Sequence, residues 1–186
     1  MAAFRALAQG LVANAEAALV TTGKVQRQLK TYFSSDYEQL LLRMTSPTDT
    51  KPDGDDVGRF VATIETFVRN LDVTAPSNPY RVTLRKLWTK AAEPDGRTTL
   101  KALYLLHTVL RLATPEDAVI FKTLLNKMVR EPSKKPAGCR YFDLQLVAAV
   151  SAETAPLQDA IETYAAYVFQ RAKTFTSSFE EMRLIA

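Results

Sequence analysis

Lys24, Arg27 and Lys30 stand three residues apart, a spacing that aligns their charges along one side of a helix. Cations so aligned, with Val25, Leu29, Tyr32 and Phe33 on the other faces, can hold a helix against an anionic surface. The alternative is an ordinary surface helix with a solvated basic edge. A second basic group follows at Arg81, Arg85, Lys86 and Lys90, with Arg97 and Lys101 beyond a turn. Arg81 and Arg85 share a helix face, as do Lys86 and Lys90. This patch could complement the first or simply face solvent, and Lys134 and Lys135, set in a loop, are expected to be solubilising.

Between the two groups, Arg43-Met-Thr-Ser-Pro-Thr-Asp-Thr-Lys-Pro-Asp-Gly-Asp-Asp-Val57 joins one cation to an acidic turn. Carboxylates at a helix start act as caps, stabilising by about 1 kcal/mol, and a cluster of them also suits a basic peptide. They do not suit a phosphorylated ligand. At about 4 Å in a surface-like dielectric, each phosphate–carboxylate contact costs roughly 4 kcal/mol before screening.

Residues for covalent or metal chemistry are few. His107 is the sole histidine and Cys139 the sole cysteine, so no zinc site of ordinary composition is expected. No Ser-His-Asp or Cys-His constellation and no glycine-rich phosphate loop is evident. The expectation is a protein that is not an enzyme and needs no cofactor, with His107 a hydrogen-bonded residue on a buried helix face. Nucleic-acid binding is not expected either, because neither a helix-turn-helix nor an aromatic-studded basic surface is recognisable.

Composition sets the frame for these groups. The chain has 186 residues, is 47% hydrophobic and carries a formal charge of +4, which suits a single domain with a well-buried core. That charge is compatible with an anionic partner without requiring one. No stretch approaches the ~20 apolar residues that span a bilayer. A lone cysteine allows no internal disulfide, which suits a reducing cytosol. Residues 1–23 are expected to add an N-terminal helix whose Phe4, Leu7, Leu11, Val12 and Leu19 pack on the domain or insert into lipid; with only Arg5 before the apolar run and Glu16 within it, the segment lacks the form of a secretory signal.

The elements that must position these residues read as helices almost throughout, which gives an all-α fold. Ser35-Asp36 opens a helix through Tyr37, Leu40, Leu41 and Met44, and Asp53-Gly54-Asp55 precedes another through Phe60, Ile64, Phe67 and Val68. A third helix runs from Tyr80 to about Ala92, and Pro94-Asp95-Gly96 marks a turn. Leu100, Leu103, Tyr104, His107 and Leu110, widened by Leu106, Val109 and Leu112, predict a helix buried nearly all round. Thr114-Pro115-Glu116-Asp117 caps the next, whose apolar face includes Val119, Ile120, Leu124, Leu125 and Met128. Tyr141–Val150 is read as helix, and Ala155-Pro156 starts a long one through Phe175. Helices joined by short turns predict stacked antiparallel pairs.

Several segments, in order, resemble the ANTH family of clathrin-adaptor membrane-binding domains, relatives of the epsin ENTH domain. That family's phosphoinositide motif reads Lys-Ala-Thr, six residues, then Pro-Lys-x-Lys-His. Here Arg43, Met44 and Thr45 fall on the triplet, Pro52 on the proline, and Asp53, Asp55 and Asp56 on the two lysines and the histidine. Arg97–Arg111 is similar to the family's central helix, Lys-x-Leu-x-x-x-His-x-x-Leu-Arg. Glu162-Thr-Tyr-Ala-Ala-Tyr167 with Arg171 resembles an ANTH helix that epsins lack, and Arg27 and Lys30 keep the spacing of the headgroup-binding pair in the epsin N-terminal helix.

The resemblance spans roughly residues 24–175. It implies a right-handed stack of antiparallel helices, an ENTH/ANTH-like solenoid over 1–186 in full or shortened form. It also implies a cytoplasmic protein, peripheral on membranes or clathrin-coated vesicles, that binds anionic phosphoinositide lipids and meets clathrin or coat adaptors through regions outside this chain. With three motif cations replaced by aspartates, the lipid-facing edge is expected at Lys24, Arg27, Lys30 and Arg43, with Arg81, Arg85, Lys86, Lys90 and Arg97 as a secondary patch. The alternative is an ANTH-like protein-interaction module that has lost phosphoinositide binding.

Overall fold

Four helix starts among the described residues are written into the sequence by a polar residue whose side chain accepts from the free N–H groups of the first turn. The computed structural model describes residues 35–67, 69, 71–72, 74–147 and 151–174. Within them α1 spans Ser35–Met44, α2 Gly54–Glu65, α3 Pro79–Ala91, α4 Gly96–Leu112, α5 Pro115–Met128, α6 Leu144–Val147 and α7 Gln158–Thr174, with a 3-10 helix over Ala152–Leu157. No strand occurs among the described residues, and the fold class is all-α. Asp53 caps α2 by accepting from the N–H groups of Asp55 and Asp56. Asn78 caps α3, Asp95 caps α4 and Thr114 caps α5, and α3 and α5 each carry proline in the first turn.

Helix α4 is the centre of the packing. It lies most extensively against α3 and next against α7, and α5 contacts both α3 and α7. Its buried residues Leu103, Leu105, Leu106 and Val109 meet a core that includes Leu84, Leu87, Leu124, Leu125, Ile161 and Val168. Burial of side chains this size is worth about 1.5–3 kcal/mol each. Aromatic rings link the layers edge to face: Phe67 on Tyr80 at 5.2 Å, Tyr80 on Phe121 at 5.1 Å and Phe142 on Phe169 at 5.4 Å.

One carboxylate lies inside this core. Asp117 is fully buried and accepts from Arg69 Nε at 2.7 Å, the Tyr80 hydroxyl at 2.7 Å and Thr114 Oγ1 at 2.8 Å. Burial favours its neutral form, but these hydrogen bonds prevail and hold the carboxyl below the usual range. Burial and the same carboxylate push the Tyr80 phenol up. By its place in the sequence Asp117 is only a dipole-compensating acid in the first turn of α5. In the fold it ties Arg69 and α3 to α5.

Three expectations about elements change. Tyr141–Val150 is not one helix: only Leu144–Val147 is helical among its described residues, because Phe142 adopts φ 59° and breaks the pitch. Tyr141 and Phe142 are consecutive yet both buried, and both rings lie on Trp88, which a regular helix does not permit. The left-handed backbone at Phe142 costs about 1–2 kcal/mol. The last helix starts at Gln158 rather than at Ala155-Pro156, after the 3-10 turn, and Phe175 lies outside the described residues. Tyr104, Leu112 and Val119, expected on buried faces, are 42–51% exposed.

Loop 131–140 contributes to the core through one residue. Ser133 is buried, its hydroxyl accepts from the Trp88 indole N–H at 2.9 Å and donates to Lys135 O at 2.9 Å. An isolated bridge between Pro132 and Arg140 closes the loop's base.

Candidate functional site

The segment carrying the motif runs from the last turn of α1 to the first turn of α2. Arg43 points its guanidinium at Asp56 as a fork, Nε to Oδ2 at 3.2 Å and Nη2 to Oδ1 at 2.9 Å. Arg59 stands 3.7 Å from the same carboxylate. The two ends of the segment are thus brought together, but as an internal ion pair in which Arg43 is bound to the Asp56 carboxylate. Asp53 is equally committed, since one oxygen receives two backbone N–H groups at 2.9 and 3.2 Å. Asp55 is exposed.

The loop between them lies on α4. Ser46, Thr48 and Thr50 chain their hydroxyls at 3.3 and 2.9 Å. Lys101, nearly buried, donates through Nζ to Ser46 O at 2.7 Å and to Thr48 Oγ1 at 3.0 Å. Burial lowers its pKa, and the nearby Asp49 and Asp95 carboxylates only partly oppose this. Beside it Lys51, Pro52, Leu100 and Tyr104 line a shallow depression of about 280 Å³. Buried Lys101 therefore acts as the loop's anchor, a role the sequence reading, which placed it on a basic surface, did not foresee.

The secondary patch does not present free charge along its length. Arg97 contacts Asp95 at 3.1 Å and Glu153 at 2.9 Å, which raise its pKa, with Asp49 at 3.8 Å. Arg81 is paired with Glu131, and Lys90 lies 2.7 Å from Glu93. Arg85 and Lys86 are half-buried on α3. Lys24, Arg27 and Lys30 lie outside the described residues.

His107 is half-buried, and its Nδ1 meets the Tyr164 hydroxyl at 2.9 Å. The Tyr167 ring packs on it edge-on at 5.4 Å, and burial raises the Tyr164 pKa. Cys139 is half-buried, and its thiol donates to Pro136 O. Among the described residues no three His, Cys, Asp or Glu side chains are grouped to hold a metal ion, and no helix is long and apolar enough to cross a membrane. In comparisons with known proteins, no family model, no curated protein and no solved structure matches this chain.

Proposed function

We propose that this chain is a non-enzymatic, ANTH-like adaptor domain, a right-handed stack of antiparallel helices acting at cytoplasmic membranes in clathrin-linked traffic. Its contact with anionic phosphoinositide lipids runs through the basic N-terminal edge of Lys24, Arg27 and Lys30. One observation shapes this reading: Arg43 and Asp56 neutralise each other while Asp53 caps α2, so the positions that fall on the motif's own cations offer no free positive charge to a headgroup. Attachment then rests on several modest electrostatic contacts of about 1 kcal/mol per basic residue near the surface. Liposome sedimentation with and without phosphoinositide tests it. The wild type is expected to pellet with anionic vesicles and Arg27→Glu/Lys30→Glu to remain in the supernatant; equal behaviour of the two ends the proposal.

A second reading, an interaction module of the same fold that has lost lipid binding, is favoured by the pairing of Arg81, Lys90 and Arg97 with carboxylates. Under it, the wild type ignores phosphoinositide vesicles, and Asp53→Lys/Asp55→Lys gains binding to them.

A further inference from the structure

We propose that the cleft between the end of α5, residues 140–144 and α7 binds a multiply phosphorylated ligand. The cleft encloses about 530 Å³, and Arg130, Arg140 and Lys173 line it together with a single carboxylate, Asp143. That volume is within the ~300–1,000 Å³ of small-molecule sites. Arg43, Arg59, Arg69, Arg81, Lys90 and Arg97 each stand within 4.0 Å of a carboxylate. Among the described residues, the three in the cleft have no such partner. Asp143 is engaged otherwise, accepting the backbone N–H of Gln145 at 3.1 Å.

Like charges collected in one concave site repel each other, and an anion placed among them relieves that repulsion. Two guanidinium forks and an ammonium match phosphate better than a single carboxylate, because each fork can give two parallel hydrogen bonds to one phosphoryl group. The walls also include the nearly buried Tyr141, Phe142 and Phe169, which give the open cleft an apolar side. The backbone is turned at this spot by the left-handed Phe142. Strained residues of this kind cluster at ligand sites.

A phosphorylated small molecule and a phosphorylated lipid headgroup share this chemistry, and the inference does not depend on the membrane reading above. The chain supplies its own reporter: Trp88, its sole tryptophan, lies 5.5 Å from the Phe142 ring and 6.5 Å from that of Tyr141. Tryptophan fluorescence of the full chain is titrated with inositol hexakisphosphate, and separately with phosphatidylcholine vesicles carrying phosphatidylinositol bisphosphate, against sodium sulfate at equal ionic strength. A saturable change with the hexakisphosphate or the vesicles but not with sulfate, weakened at least about tenfold in Arg130→Glu/Arg140→Glu, is expected. Arg130→Gln/Arg140→Gln replaces that variant if its melting temperature falls. Saturation by the soluble probe alone assigns a free phosphate compound, and saturation by vesicles assigns a headgroup. Lys24→Glu/Arg27→Glu/Lys30→Glu should leave the soluble titration unchanged, which separates this site from the N-terminal edge. No saturation by either probe up to about 1 mM, or equal affinity in the wild type and the cleft variant, overturns the proposal.

Discussion

At the scale of single residues, Asp117 and Asp53 show two carboxylates doing different structural work. Asp117 is charged in the core because Arg69, Tyr80 and Thr114 together outweigh its desolvation. Its folded-state pKa lies below the unfolded value of about 3.9, so it contributes stability at all higher pH and loses it as pH falls through the depressed value. Asp117→Asn keeps the shape but leaves Arg69 without its counter-charge. The variant should unfold about 2–4 kcal/mol more easily at neutral pH, with the difference shrinking in acid; chemical denaturation of both proteins from neutral pH downwards measures it. Asp53 is exposed and receives two N–H groups of α2. Asp53→Ala should cost only about 1 kcal/mol, seen as a small loss in denaturant midpoint with α1 and the core unchanged.

At the scale of elements, two glycines in helices separate packing from propensity. A Cβ on Gly96 would stand 2.9 Å from Ile161 Cδ1 and 3.0 Å from Thr154 Cβ, where α4 meets α7 and the 3-10 turn. The Gly96 N–H also donates to Thr154 Oγ1 at 3.0 Å. Gly96→Ala should therefore destabilise by about 1–3 kcal/mol. A Cβ on Gly58 in α2 meets nothing within 4 Å, so Gly58→Ala should stabilise by about 0.5–1 kcal/mol through helix propensity. Thermal melts of both variants read the opposite signs directly.

The elements themselves were legible where local chemistry decides them. The caps at Asp53, Thr114 and the Pro94-Asp95-Gly96 turn, and the apolar periodicity of α4, act within a few residues of chain. What stayed hidden depends on residues far apart. That Trp88 needs Ser133, Tyr141 and Phe142 around it is a tertiary demand, and it breaks an apolar run that periodicity alone reads as helix. The pairing of Arg43 with Asp56, of Arg81 with Glu131 and of Arg97 with Glu153 likewise turns apparent basic surface into neutralised surface. Spacing along a helix places cations on a face but does not say which carboxylate the fold sets opposite them. The cleft cations Arg130, Arg140 and Lys173 were missed for the same reason, being scattered over 44 positions of sequence.

At the scale of the whole molecule, the charge is uneven. Residues 1–34 hold Arg5, Lys24, Arg27 and Lys30 against Glu16 alone, so three of the four excess positive charges belong to that segment. In residues 35–186 the balance is nearly even, and among those described many cations stand against carboxylates. A surface potential decays over a Debye length of about 8–10 Å at physiological salt. Outside the cleft of Arg130, Arg140 and Lys173, the paired surface of residues 35–186 therefore adds little attraction to an anionic membrane, and the segment with net charge dominates it. Three basic residues at about 1 kcal/mol each amount to roughly a hundredfold in partitioning. Under the proposed function, binding of the full chain to phosphoinositide vesicles is expected to fall steeply as salt is raised from about 50 to 200 mM. In Lys24→Glu/Arg27→Glu/Lys30→Glu most of the binding and of its salt dependence should be lost, whereas Arg43→Gln, which removes a cation already held by Asp56, should leave the salt curve close to that of the wild type. A salt curve shifted equally by both variants would place the attraction on the body of the fold instead.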